Sequence, residues 1–273
     1  MKTQPIKTTT KSYQEHFEQR GTAYERAMQA YPHARDEEFL QALNASANIL
    51  TNPQQQLRVA DVPAGGGYLQ RYLPPNCIWL GHEPCASFMH HATTNLVTTN
   101  QSTTSTQVTD KPLLPLPWQD QTIDVAISVA GLHHLEDKTP LFKELHRVLK
   151  SNGELIISDV ATGSNVATFL DTYVGANNST GHEGIYLDER TKQELRQANF
   201  TITAHKHNHF YWKFNNIQEM AEFCHQLFDL ELSTAKDTQE AIERYLGVAA
   251  IAHNQVGMRW SLTTIRAIPN YES

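Results

Sequence analysis

In VADVPAGGGYLQRYL (residues 59–73) an apolar strand ends at Asp61 and runs through Pro63 and Ala64 into Gly65, Gly66 and Gly67, ahead of a short helix. Such a turn lets a ligand reach bare backbone. Without side chains at 65–67, close contact and positive φ are both allowed, and N–H groups at the helix start favour a carboxylate or phosphate. A glycine turn alone is equally compatible with a structural role. Glu83 strengthens the case, because it closes the next apolar run, CIWLGHE (77–83), about 20 residues downstream, where a mononucleotide-binding unit carries its ribose acid. The run D-x-P-A-G-G-G departs from the dinucleotide pattern G-x-G-x-x-G, with an acid at the strand end and no third glycine in register. Asp61 would repel a pyrophosphate and attract an ammonium or sulfonium, so charge disfavours NAD and favours a cationic ligand.

Outward from the turn, short apolar runs alternate with turns and helical stretches, as in a parallel sheet buried on both faces. Strands are predicted at 57–62, 77–83, 123–130 and 154–161. A helix at 140–149 carries Leu141, Leu145, Val148 and Leu149 on one stripe, with Gly153 as its stop. Residues 93–109, almost all Thr, Ser, Asn and Gln, are expected to form a short edge strand beside a loop, or a linker. Residues 12–50 are expected to be two helices joined at Tyr31-Pro32, and FTITAHKHNHFYWKF (200–214) and GMRWSLTTIRAIP (257–269) to be strands. Helices at 216–229 and 237–247 lie between those strands and could enlarge a pocket or form a homodimer face, although Phe223, Leu227 and Phe228 suit a core.

Composition narrows the function classes. The 273 residues carry a net charge of -7 and no basic run, which argues against a nucleic-acid partner. Three cysteines, Cys77, Cys85 and Cys224, fit neither a disulfide framework nor a zinc site, so a reducing compartment is expected. No segment approaches the roughly 20 apolar residues that a bilayer requires, and no apolar stretch follows the early lysines. A cytoplasmic protein without a membrane partner is the expectation.

Residues 57–161 resemble a class I S-adenosylmethionine-dependent methyltransferase of the small-molecule group called type 11. DVPAGGG resembles the family's glycine turn, GHEP its second-strand acid, LPLPWQDQTIDVAISVAGLHHLED its fourth strand and His-His helix start, and LFKELHRVLKSNGELIISDV its next helix and fifth strand. The resemblance implies an α/β fold with a Rossmann-like, seven-stranded, mostly parallel sheet. An N-terminal helical lid (1–50) would precede the methyltransferase domain (51–273), and an insertion after the fifth strand would shape the acceptor site. By the same resemblance Asp61, Ala64 and Gly65 hold the methionine end of S-adenosylmethionine, Glu83 its ribose, Val129 its amino group through a carbonyl, and Asp110 its adenine. Pro63 stands where the family has its first glycine, so contact there must use its carbonyl or ring.

The resemblance further implies a variable pocket for a small-molecule acceptor, methylated on O, N or C. Tyr24 and Arg35 in the N-terminal helices, with Arg20, combine flat aromatic surface with fixed charge, and either arginine could pair with the donor's carboxylate or with an anionic acceptor. In NNSTGHEG (177–184), His182 and Glu183 are candidate acceptor contacts, with Tyr173 or Tyr186 as a wall. Methyl transfer needs mainly alignment. A base is required only for a protonated acceptor, and His133, His134 and His182 are the candidates. No metal is expected: His205, His207 and His209 share a strand face, but no acid stands beside them. Rival readings are a non-catalytic S-adenosylmethionine-binding protein, methylation of a carrier-tethered acyl substrate, and an NAD-dependent oxidoreductase.

Overall fold

The computed structural model describes residues 21–85, 87–88 and 112–271, with His253 described by its backbone alone. The expected strand in 93–109, Asp110 and the residues before Gly21, Arg20 among them, lie outside that set. Seven strands form one sheet: β1 (Leu57–Asp61), β2 (Cys77–Gly81), β3 (Ile123–Val129), β4 (Leu149–Asp159), β5 (Phe200–Phe214), β6 (Val248–Ala250) and β7 (Val256–Pro269). Their order is β2-β1-β3-β4-β7-β5, with β6 on β7. β1 lies parallel to β2 and β3, and β3 to β4, while β7 runs antiparallel to β4, β5 and β6. All strands but β7 therefore point one way, and the sheet is the mostly parallel, Rossmann-like one. β4 is the strand expected as fifth.

Eight α-helices of five residues or more flank it among the described residues: α1 (Gly21–Ala30), α2 (Asp36–Asn44), α3 (Ala47–Thr51), α4 (Thr139–Val148), α5 (Asn165–Phe169), α6 (Glu189–Gln197), α7 (Ile217–Leu227) and α8 (Ala235–Tyr245). Strand alternation divides the core between the two faces. Val59, Val125 and Ile156 point to the face covered by Met28, Phe39, Phe169 and Phe223. Ala60, Ala126, Leu155 and Ile157 point to the other, where Leu141, Phe142, Leu145 and Leu195 close it. Fully burying a side chain such as Phe142 is worth about 1.5–3 kcal/mol, so α4 is held by its apolar stripe rather than by its ends.

Two expectations need correcting. The helix before β4 ends at Val148, and Leu149 is already extended. Gly153 is no helix stop but lies within β4, where a Cβ would stand 2.9 Å from the Lys150 carbonyl oxygen and 3.1 Å from that of Asp124. The N-terminal segment also breaks twice, not once. Its second break is at Ser46, whose Oγ caps α3 by accepting from Ile49 N–H and also donates to the buried Glu154 carboxylate.

Glu154 further accepts from Asn48 N–H at 2.8 Å and Arg266 Nε at 2.7 Å, fastening α3 to the sheet. Tyr68 donates to Glu25 at 2.7 Å and Tyr72 to Asp36 at 2.6 Å, so α1 and α2 are tied to the turn after β1. Ala27, Met28, Phe39, Leu43 and Ile49 belong to the same core as the sheet. The N-terminal helices form one wall of the crevice beyond the strand ends.

Candidate active site

Ligands of open α/β sheets bind beyond the carboxyl ends of the strands. The ends of β1, β3 and β4 lie side by side, with Asp61 opposite Ile127 and Val129 opposite Ser158. Beyond the first two lies a cavity of about 540 Å³ lined by Asp61, Pro63, Ala64, Gly65, Val129 and Ala130, with Tyr24, Arg35 and Phe39 from the N-terminal helices opposite. Gly65 has φ +51°, and an added Cβ would meet nothing within 4 Å, so the turn exposes backbone to open space beside the cavity. Pro63 is accommodated by Gly131, where a Cβ would come within 2.6 Å of the Pro63 ring.

The amides of this turn are engaged within the protein. Ala64 N–H donates to the His82 carbonyl at 3.0 Å, Gly67 N–H to the Ala64 carbonyl at 2.9 Å, and Gly65 N–H to Glu83 Oε2 at 2.8 Å. A 3₁₀ turn, Tyr68–Tyr72, follows in place of a helix whose free N–H groups could hold an anion. Glu83 is wholly buried, also accepts from Cys85 N–H at 2.9 Å, and does not line the cavity. Its carboxylate clasps the end of β2 to the glycine turn. Asp61 does line the cavity, and burial beside Glu83 pushes its carboxyl well above the ordinary range, against the opposing hydrogen bond from Trp79 Nε1.

A second cavity, of about 700 Å³, shares Tyr24, Arg35 and Ala130 with the first. One wall is apolar, with Trp212 of β5, Trp260 of β7 and Phe228 after α7; the two indoles stack at 4.2 Å between centroids. The opposite wall carries His133, His134 and His182. His133 and His134 lie in the turn Leu132–His134, which forms because the wholly buried Asp159 carboxylate at the end of β4 caps it, accepting from Leu132 N–H at 2.8 Å and His133 N–H at 3.2 Å. Asp159 also accepts from Val160 N–H at 2.7 Å and from His133 Nδ1 at 2.7 Å. Burial opposes ionisation of Asp159, but His133 and these N–H groups hold its carboxyl below the ordinary range.

His182 arrives from the segment after β4, where α5 continues into a π-helical turn (Leu170–Val174) and a last helical turn (Gly175–Asn177) before an irregular stretch. That stretch is packed down, not solvated: Asn178 donates to the Phe228 and Asp229 carbonyls, and His182 is buried. His182 Nδ1 stands 3.3 Å from Asp171 Oδ1, which also accepts from Tyr186. Asp171 is held below the ordinary carboxylate range by these donors against the effect of burial. The ring centroids of His133, His134 and His182 lie within 4.0–5.7 Å of one another.

Arg35 is not available to a ligand carboxylate in the way expected. It donates to both oxygens of the wholly buried Glu38, with Nε at 3.1 Å, and to Tyr24 Oη at 2.7 Å, while Trp212 Nε1 donates to Glu38 at 2.9 Å. The charge is neutralised inside the wall, and the guanidinium serves as a flat surface 5.1 Å from the Trp212 ring. Glu183 is exposed and lines neither cavity. Asp159, Asp171, Glu38 and the two indoles are the site residues that the sequence reading did not single out. Only Asp159 had a signal, as an acid at a strand's carboxyl end.

Residues 60–157 match the family described as a methyltransferase domain. The structure superposes on an S-adenosylmethionine-dependent methyltransferase of Thermotoga maritima with a TM-score of 0.56, at 16% identity, over 95% of this chain and 100% of that one. Residues 60–157 form a methyltransferase domain, and the fold is that of S-adenosylmethionine-dependent methyltransferases. The fold is also similar to that of phosphoethanolamine N-methyltransferase 2 of Haemonchus contortus in its S-adenosylhomocysteine complex, with a TM-score of 0.58, 14% identity, and coverage of 96% of this chain and 61% of that one. The chain is 24% identical over 158 residues to the glycine/sarcosine/dimethylglycine N-methyltransferase of Actinopolyspora halophila, covering 56% of this chain and 25% of that protein. The chain spans about a quarter of the length of the first curated relatives it matches.

The first cavity offers a carboxylate at Asp61, exposed backbone at Gly65 and an aromatic wall at Tyr24 and Phe39. Because Asp61 holds its proton above the usual pH near 3.8, and only its ionised form attracts a cation, S-adenosylhomocysteine, which carries the donor's ammonium, should bind more tightly as pH rises through that elevated range. Asp61→Asn should flatten the dependence. A calorimetric pH series reads it directly, and a steep dependence surviving in the variant would remove Asp61 from the donor contact. Glu83→Ala frees the Gly65 and Cys85 amides and is expected to weaken donor affinity by about 1.5–3 kcal/mol. Unchanged affinity in the same titration would show that the clasp plays no part in binding.

Proposed function

We propose that the protein transfers a methyl group from S-adenosylmethionine to O, N or C of a small metabolite with a flat, largely apolar body. The carrying observation is the pair of adjoining cavities: a backbone-lined one at the glycine turn shares Tyr24, Arg35 and Ala130 with one lined by two indoles and three imidazoles. The internal neutralisation of Arg35 by Glu38 favours an acceptor without a strong anionic group at that wall.

Bound in the first cavity, S-adenosylmethionine supplies an activated methyl group, and the electron pair of the broken C–S bond returns to sulfur. The protein's part is alignment. Trp212, Trp260 and Phe228 hold the acceptor's flat body, and the shared opening at Ala130 faces its nucleophilic atom toward the donor. An acceptor that is protonated at working pH gives its proton to an imidazole of the histidine wall. With Nδ1 of His133 and of His182 donating to carboxylates, Nε2 is the nitrogen that accepts. The reading is tested by incubating purified protein with S-adenosylmethionine and a fractionated metabolite extract. Stoichiometric S-adenosylhomocysteine in some fraction, with a product heavier by one methylene, supports it. Donor binding without turnover in any fraction would instead favour a non-catalytic binding protein.

A further inference from the structure

The histidine wall has the makings of more than a base. One ring nitrogen from each of His133, His134 and His182 lies within 4.8 Å of the others, and among the described residues this is where His, Cys, Asp and Glu converge closely enough to share a cation. Three imidazoles meet at a cavity whose charged lining groups, Arg35 and Glu38, are already paired with each other. We infer that His133, His134 and His182 form a binding site for a divalent cation of the zinc class, which holds the acceptor's nucleophilic atom during methyl transfer. The inference deepens the function proposed above and rests on it for the catalytic role, but not for the binding itself.

Four observations carry the site. The ligand set is uniformly imidazole, which suits Zn²⁺, Fe²⁺, Co²⁺, Ni²⁺ or Cu²⁺ and not the oxygen-seeking Mg²⁺ or Ca²⁺. Two of the three rings are backed by carboxylates, Asp159 behind His133 at 2.7 Å and Asp171 behind His182 at 3.3 Å. That is the arrangement by which proteins fix the tautomer of a metal-binding histidine and raise its basicity. Because an ionised carboxylate only accepts, Nδ1 carries the proton in both, and Nε2 is the atom a cation would meet. Third, His133 and His182 are buried and His134 half-buried, so the cation would sit in the wall and not on the surface.

The fourth is coordination number. Three protein nitrogens leave a position open on a four-coordinate metal, the hallmark of a catalytic rather than a structural site. Zinc–nitrogen bonds of about 2.0–2.1 Å place tetrahedral nitrogens roughly 3.4 Å apart, so the rings need close by little more than an ångström on a cation. All three histidines line the cavity proposed for the acceptor, so an open position would be reached from it. An acceptor hydroxyl bound there would be fixed in place and would release its proton to solvent on coordination while its oxygen kept lone pairs for the methyl carbon, so none of the imidazoles would have to take the proton.

The rival location for a cation is the strand face bearing His207 and His209, whose rings lie 4.7 Å apart, with His207 Nδ1 already 2.8 Å from Thr263 Oγ1. The test uses the full chain, free of any histidine tag and stripped with a chelator, titrated with Co²⁺ and followed by visible ligand-field absorption and calorimetry. One Co²⁺ per chain with the intense spectrum of a four- or five-coordinate ion, displaced by Zn²⁺, is expected. Asp171→Asn keeps an oxygen for His182 while removing the charge, and should weaken Co²⁺ by about 10- to 100-fold. His134→Ala should change the spectrum, and His207→Gln should change nothing. No spectrum in the wild-type protein, an unaltered affinity in Asp171→Asn, or loss of binding in His207→Gln would each overturn the site. S-adenosylhomocysteine formation, assayed on the same samples, separates the two ideas. Turnover without Co²⁺ binding removes the metal and leaves the methyltransferase reading, whereas Co²⁺ binding without turnover in any extract does the reverse.

Discussion

Asp159→Ala is expected to lower folding stability by about 3–5 kcal/mol, the scale on which a buried charge network fails when one member is removed. The buried carboxylate accepts from the backbone of Leu132, His133 and Val160 and from the His133 ring, so its loss strands four donors at once. Chemical denaturation measures the loss. A value within 1 kcal/mol of wild type would mean that the histidine turn holds itself. The pH dependence follows in sign. The carboxyl of Asp159 is held below its ordinary value near 3.8, so the stability it contributes is complete above that pH and is lost as pH falls from there toward the lower folded-state value. The acid limb of the stability curve should therefore be shallower in Asp159→Asn than in wild type.

His182→Ala is the substitution with the largest expected effect on turnover, about 10²- to 10⁴-fold, whether the imidazole takes the acceptor's proton or helps to hold a cation. Donor affinity should be unchanged, because His182 lines the second cavity and not the first. His182 is the cleaner target of the three, since removing His133 would also leave Asp159 without its ring partner. Single-turnover kinetics with calorimetry of S-adenosylhomocysteine separates the two readouts. A variant that loses donor binding contradicts the placement of His182 on the acceptor side.

The sheet was legible because a strand buried on both faces leaves a continuous apolar run, and β1 to β3 each do so. The lining of the first cavity was legible for a related reason: Asp61, Pro63, Ala64 and Gly65 are consecutive or nearly so, and so meet at one cavity without help from distant sequence. The acceptor side is assembled from residues far apart in sequence, such as Arg35, His133, His182 and Trp212. Sequence supplied the three histidines one by one but not their meeting. Nor could it show that Glu38, six residues beyond the turn predicted at Tyr31-Pro32, would turn inward to neutralise Arg35, since a carboxylate in an amphipathic helix is ordinarily solvated. Glu83 is the converse case. Its position suggested a ligand contact, and folding instead closed it over the amide of Gly65.

The pairing of Pro63 with Gly131 bears on how this fold drifts. A proline ring fills the volume that any side chain at 131 would need, so the two positions are not independent sites of variation. Replacing Gly131 is ruinous in the present background and becomes tolerable once residue 63 is small. Such epistasis means that homologues should carry either bulk at the first position or bulk at the second, seldom both.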